Sequence, residues 1–330
     1  MLREVWPFVD AHRRAGRSVA LARLVTRDGP GARPLGSTMA VAADGTWRGS
    51  VSGGCVEAVV VDAARAVLAG AEPHLLPVTP GESLLPWEAT PACTATLEVL
   101  VVPAPPSAVH RAISVGLRRD RPLAVGVGLR PPYRWTVAPT VDRLHADHPA
   151  YVEELPRRRR LVLVGATDLA ATLATLAESV DLAVSVVDPR PGHVGAGAVP
   201  TTAGLVRAWP DEWLARHPLG PGDAVVALSH DPRIDDRAVR AALAGGAGHV
   251  AALGSRATHA QRLRRLAGTP GLDRLAGPAG LDLGGRSLAE AALSILAEVV
   301  AVANGRDGGR LRDSRLPVGG TPAFTAGLSG

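Results

Sequence analysis

Lysine is absent from this sequence, cysteine occurs twice, at Cys55 and Cys93, and aromatic residues make up only 3%. Two cysteines are too few for a disulfide framework or a four-cysteine zinc site. No apolar run reaches the roughly 18 residues that a membrane span needs. The longest candidate, Leu288–Ala303, carries Glu290 and Glu298. The opening residues, Met1-Leu2-Arg3-Glu4, are charged early and show no apolar core of an export signal, so the expected compartment is a reducing cytoplasm. With no lysine, arginine alone sets the pI of about 10.3 and the formal charge of +5. Nucleic-acid binders interleave such charge with aromatics. Here the one dense run, Arg157–Arg160, reads as a solvated flank. Neither a nucleic acid nor a membrane is an expected partner.

What is present organises into two halves, as 330 residues at roughly 150 per domain lead one to expect. The first half reads as mixed α and β. A helix is expected over Glu4–Ala15 and a strand over Ser18–Thr26. A hairpin, Thr38–Ala42 with Thr46–Val51, turns at Asp44-Gly45, and a helix runs from about Cys55 to Leu68. A strand at Leu97–Val102, a helix at Ala108–Arg118 and a strand pair at Leu123–Leu129 and Tyr133–Val137 complete it. The polar stretch 139–156 holds His145 and His148 and marks the domain boundary. The second half alternates apolar strands (Leu161–Val164, Ala183–Val187, Gly204–Ala208, Asp223–Leu228, His249–Leu253) with helices, the signature of a parallel sheet covered on both faces. Ser287 and Glu290 form a capping box for a last helix that is apolar nearly all round to Ala303. Such a helix is expected to be buried between elements or between subunits, which points to a homodimer.

Five stretches carry possible chemistry. In Gly49-Ser50-Val51-Ser52-Gly53-Gly54-Cys55-Val56-Glu57, glycines allow backbone N–H groups to converge on an anion such as a phosphate or pterin edge. A cysteine at a helix N-terminus gains thiolate character and becomes a nucleophile or soft metal ligand. A Gly-rich turn followed by a structural Cys55 fits the same residues equally well. Arg33, among small residues in Gly29–Met39, is placed to clamp a phosphate; a plain surface loop is the alternative. Cys93 precedes a strand, either as a second sulfur or as a small buried hydrophobe. Gly165-Ala166-Thr167-Asp168 sits at a strand-to-helix turn, with Asp188 at the end of the next strand where an acid meets ribose hydroxyls. Thr167 stands where a dinucleotide fingerprint has its second glycine, and Arg190 can pair a 2′-phosphate or Asp188 itself. Ser229-His230-Asp231 and Gly254-Ser255-Arg256 occupy matching strand ends, where His230 is placed as a general base oriented by Asp231 or another carboxylate; a polar strand end whose Asp231 caps the next helix is the alternative.

Taken in order, these pieces resemble the XdhC/CoxI family of accessory factors for molybdenum hydroxylases such as xanthine dehydrogenase and carbon monoxide dehydrogenase. The resemblance runs through Gly36–Met39 and Gly49–Glu57, then Val164–Thr167, Val187-Asp188-Pro189-Arg190-Pro191, Ser229-His230-Asp231, Leu253–Arg256, Gly280–Gly284 and Ser294–Glu298. Two motifs differ from the common family forms. Cys93-Thr94-Ala95 stands for Cys-Gly-Gly, and Gly165-Ala166-Thr167-Asp168 for Gly-Ala-Gly-His. The resemblance implies an N-terminal mixed α+β XdhC/CoxI domain (1–140) and a C-terminal Rossmann-like doubly wound parallel sheet (161–305); by composition the polar stretch between them reads as a linker (141–160), and 306–330, rich in Gly, Arg and Pro without a period, as a disordered tail. The resemblance also implies binding of molybdenum cofactor (molybdopterin), help with its sulfuration alongside a cysteine desulfurase, and delivery to an apo molybdenum hydroxylase. Cys55 would touch the molybdenum or its sulfur, and the glycine loops would hold the pterin phosphate. The alternative function is an NAD(P)-dependent oxidoreductase acting on a small molecule in an interdomain cleft, with Asp188 on the ribose and His230 as proton carrier.

Overall fold

A computed structural model describes residues 1–29, 33–79, 95–144, 149–194 and 203–316. The chain divides into two compact units, which meet in sequence at Arg157 and Arg158. Among the described residues no helix is long and apolar enough to cross a membrane.

The first unit contains α1 (Leu2–Arg14), β1 (Val19–Asp28), β2 (Thr38–Ala42), β3 (Trp47–Gly49), α2 (Glu57–Leu68), β4 (His74–Val78), β5 (Thr96–Pro103), α3 (Ser107–Arg118), β6 (Leu123–Gly128), β7 (Trp135–Ala138) and β8 (Ala150–Leu155). Five strands pair antiparallel in the order β3-β2-β1-β5-β4, and three more form a second sheet, β7-β6-β8. Alternation along β1 explains the layering. Ala20, Ala22 and Leu24 point to one face, where Val60, Ala64 and Val67 of α2 cover them. Val19, Leu21 and Val25 point to the other, against Leu2, Val5 and Val9 of α1, Ile113 of α3 and the small sheet. The stretch expected as a linker therefore holds a folded strand, β8, paired with β6. Positions 145–148 within it lie outside the described residues. Helix α2 starts two residues later than the sequence led one to expect. Val56 has a non-helical φ of −130°, and Gly53 and Gly54 take φ of 96° and 124°, where a side chain would be strained. Cys55 thus lies on the loop before the helix.

The second unit contains β9 (Arg160–Val164), α4 (Asp168–Glu178), β10 (Ala183–Val187), α5 (Pro191–Val194), β11 (Gly204–Val206), α6 (Pro210–Arg216), β12 (Ala224–Ala227), α7 (Pro232–Ala244), β13 (His249–Ala252), α8 (Arg256–Arg265), β14 (Leu275–Ala276) and α9 (Leu288–Ala303). Its six strands are all parallel, in the order β11-β10-β9-β12-β13-β14. Numbered within the unit this is 3-2-1-4-5-6, the doubly wound Rossmann order, and its direction reverses between β9 and β12. Helices α4, α7, α8 and α9 begin at side-chain caps. The Thr167, Asp231 and Ser255 side chains accept from Ala170, Arg233 and Thr258 N–H, and Ser287 and Glu290 make the reciprocal capping box of α9. One sheet face is covered by α4 and α9, the other by α6 and α7. Helix α9 buries a stripe of Ala292, Ile295, Leu296 and Val299 but leaves Leu288, Leu293 and Val302 exposed. Of the expected tail, residues 306–316 are exposed for the most part and include a 3-10 turn at Leu311–Asp313; 317–330 lie outside the described residues.

Candidate functional site

The Gly-rich loop of the first unit closes on a side chain of its own. Glu57, the first residue of α2, turns its carboxylate back into the loop. Oε1 accepts from the Ser50 hydroxyl and from the N–H groups of Val51, Ser52 and Gly53. Oε2 accepts from the Ser52 hydroxyl and the N–H groups of Gly54 and Val56, all at 2.5–3.2 Å. The sequence led one to expect converging N–H groups here, and they do converge, but on Glu57 rather than on open space for a phosphate. Burial opposes ionisation of Glu57. The hydrogen bonds from Ser50, Ser52 and Val56 outweigh it and bring the pKa down from 4.5 to about 2. Ser52 completes the frame, its hydroxyl accepting from the N–H groups of Cys55 at 2.9 Å and Val56 at 3.1 Å. What remains outside is the Cys55 side chain, a free and exposed thiol. Arg33 is engaged as well: its guanidinium lies 3.7 Å from Glu4 of α1, and its carbonyl accepts from Arg27. Cys93 lies outside the described residues.

In the second unit, the expected strand-end residues gather along the C-terminal edge of the sheet. Gly165 follows β9 with a φ of 112°, and a Cβ there would lie 2.8 Å from the Ser229 backbone after β12. Only glycine permits that approach at the point where strand order reverses. Asp188, fully buried after β10, accepts from Ala166 N–H at 2.8 Å and from Arg190 through its N–H, Nε and Nη2 at 2.7–2.9 Å. Burial alone would raise its carboxyl, but these bonds hold it below the usual range. Of the two partners open to Arg190, the structure has Asp188. The acid expected to meet a ribose is thus engaged by the chain's own groups. Thr167 caps α4 through Oγ1, 3.2 Å from Ala170 N.

His230 has a φ of 60°, an uncommon backbone state for a residue with a side chain, and is exposed. Asp231 does not orient it. Its carboxylate caps α7 and takes the Arg233 guanidinium in a fork, which brings its pKa to about 2. A buried group missed in the sequence lies behind it. The Ser229 hydroxyl and N–H both donate to Asp235, at 2.6 and 3.2 Å, and buried Arg262 stands 3.5 Å from the same carboxylate. Burial pushes the Asp235 carboxyl up. Arg262 also donates to Leu253 O, tying this network to the end of β13. The available signal was an acid one turn into α7 after the Asp-Pro cap. Ser255 caps α8, with Gly254 before it at a φ of 142°, and Arg256 is exposed. The structure thus links Gly165, Asp188 and Ser229 along one edge and leaves the His230 and Arg256 side chains facing solvent. Asp188→Ala would orphan two backbone N–H groups and release the Arg190 guanidinium, and we expect a stability loss of about 2 kcal/mol in this unit by urea unfolding. A loss within ~0.5 kcal/mol would show that the Asp188–Arg190 cluster does not hold the edge.

Among the described residues, no group of three or more His, Cys, Asp or Glu side chains is arranged to hold a metal ion. Comparison with known proteins places both units. Residues 12–78 match the family model described as the XdhC and CoxI family, and residues 161–299 match the XdhC Rossmann domain. The chain is 24% identical to a Bacillus subtilis protein named as a probable subunit of xanthine dehydrogenase, across 88% of this chain and 95% of that one. It is 28% identical to the "molybdenum cofactor insertion chaperone PaoD" of Escherichia coli, across 87% and 84%. The fold is shared with a crystal structure described as a xanthine dehydrogenase from Bacillus halodurans, with a TM-score of 0.78 at 20% identity over 94% of this chain and 98% of that one.

Proposed function

The chain belongs to the XdhC and CoxI family, and on that premise we propose that it is an accessory factor for molybdenum cofactor, which it carries as cargo rather than as a resident group. In this reading it binds the cofactor, assists its sulfuration with a cysteine desulfurase as sulfur source, and delivers it to an apo molybdenum hydroxylase in the cytoplasm. One relative of similar length being named a cofactor insertion chaperone supports the role.

The observation that carries the reading is the exposed Cys55 thiol on a loop locked by Glu57, within the stretch matched by the family model. A loop fixed in advance presents its sulfur without paying an ordering cost on binding, and sulfur is the ligand type that soft metal centres select. The chain contributes that one sulfur, and the other ligands belong to the cargo. The loop N–H groups are taken by Glu57, so the pterin phosphate must be held by other groups. The exposed Leu288, Leu293 and Val302 of α9 suit coverage by a second copy, and the reading includes a homodimer.

Cys55→Ser is expected to lower the molybdenum cofactor retained on the purified chain roughly tenfold with no change in thermal unfolding, since the side chain is exposed. Native mass spectrometry and molybdenum content read the retention, with Cys93→Ser as comparison. Equal loss in both variants, or none in either, overturns the single-thiol model.

A further inference from the structure

A cavity of about 540 Å³ opens between α1 and α3, at the opposite end of α1 from Glu4 and its partner Arg33. Its volume is that of a small-molecule site. Four arginines line it, Arg13 and Arg14 from the last turn of α1 and Arg111 and Arg118 from α3, against one carboxylate, Asp10. That carboxylate is divided among several donors. Oδ1 accepts from the Ser114 hydroxyl at 3.0 Å and lies 3.2 Å from His110 Nε2; Oδ2 is 3.3 Å from Arg14 and 3.9 Å from Arg118. Arg13 is held by the Pro105 carbonyl and Ser107 Oγ, and Arg111 has no ion-pair partner among the described residues. Several positive charges around one concave space repel one another until an anion sits between them.

The floor is rigid. Trp6 Nε1 donates to the buried Ser114 hydroxyl at 2.9 Å, Ser114 donates to Asp10, and the His110 ring stacks on Trp6 at 5.1 Å between centroids. Asp10 is therefore a positioned acceptor inside a ring of guanidinium donors. Guanidinium forks match phosphate oxygens, and a fixed carboxylate beside them accepts from a hydroxyl on the same ligand. We propose that this cavity binds a small phosphate monoester that also carries hydroxyl groups, with the phosphate on Arg111 and Arg118 and a hydroxyl on Asp10. A concave space of this size takes one compact ligand, whereas an acidic peptide needs a longer surface. The site does not depend on the role proposed for Cys55.

Calorimetric titration of the full chain with ribose 5-phosphate tests it, with inorganic phosphate and ribose as comparisons. Ribose 5-phosphate should bind roughly tenfold tighter than inorganic phosphate, ribose should not bind, and affinity should fall with salt. Arg111→Gln with Arg118→Gln, both on the surface, should weaken ribose 5-phosphate binding at least about tenfold while leaving thermal unfolding unchanged. Asp10→Asn should erase the preference for the sugar phosphate and tighten inorganic phosphate. No binding of ribose 5-phosphate at millimolar concentration, or equal affinity in the arginine double variant, overturns the proposal. So does a tetraglutamate peptide that binds where the sugar phosphate does not. If Asp10→Asn disturbs folding, the arginine variant decides alone.

Discussion

Arg23→Met is expected to destabilise the first unit by about 4 kcal/mol. Arg23 of β1 and Glu153 of β8 form an ion pair with both side chains essentially removed from solvent. The Arg23 guanidinium also lies 4.8 Å from the centre of the Tyr151 ring, and Glu153 accepts the Leu2 N–H at 3.0 Å. The pair thus joins the five-stranded sheet, the three-stranded sheet and the start of α1. Methionine fills much of the arginine volume, so the loss does not come from a cavity. It comes from Glu153, left buried and ionised with a single backbone donor. Glu153→Gln in the Arg23→Met background removes that charge while keeping an acceptor for Leu2. It should recover at least half of the lost stability in urea unfolding of the full chain. A double variant no more stable than the single one would mean that the uncompensated charge is not the cause.

Glu57→Gln is expected to cost about 3 kcal/mol, or ~10 °C in the melting of the same unit. The seven donors divide four to Oε1 and three to Oε2. Whichever position the glutamine NH2 takes, it meets at least three donors where an acceptor is required. The pH dependence has a definite sign. A carboxyl whose folded pKa is about 2, against 4.5 when unperturbed, contributes its stability in full above pH 4.5. That contribution fades as pH falls from 4.5 toward 2, and the glutamine variant should lack this part of the acid dependence. Cys55 should also react faster with iodoacetamide in the variant, because the loop that holds it has lost its centre. Unchanged melting and unchanged acid dependence would show that the loop keeps its shape without the charge.

How far the sequence reveals this molecule depends on how local each determinant is. The parallel sheet was legible because β9, β10, β12 and β13 are short apolar runs at helix-length spacing, and α9 because Ser287 and Glu290 are only three positions apart. Strand β8 was not. Its inward positions are Tyr151, Glu153 and Leu155, and a glutamate in an apolar slot breaks the alternation unless its partner 130 positions away is known. Strand β4 carries Pro77, which is tolerated because β4 forms a sheet edge. At the candidate site the residue types were legible and the partners were not. Glu57 was singled out beside the glycines, but that it fills their N–H cradle depends on the loop folding back. The Asp188–Arg190 pairing stood as one of two choices, and Asp231 sits where expected but faces Arg233 rather than His230. The arginine-lined cavity has no local signal, since its two helices are more than ninety residues apart in the chain.

The packing of α9 on α4 sets an order of events during synthesis. Helix α4 is the first helix of its unit to leave the ribosome, and it presents Ala170, Leu173, Ala174 and Ala177 to the cluster that Ala292, Ile295, Leu296 and Val299 of α9 complete. Those partners are made last, more than a hundred residues later. The nascent sheet therefore emerges with this apolar flank unfinished, and the unit reaches its native core only after translation of α9. Contacts of such long separation form slowly, and the exposed flank is open to wrong association in the interval. The unit thus carries its own need for protection before it is complete.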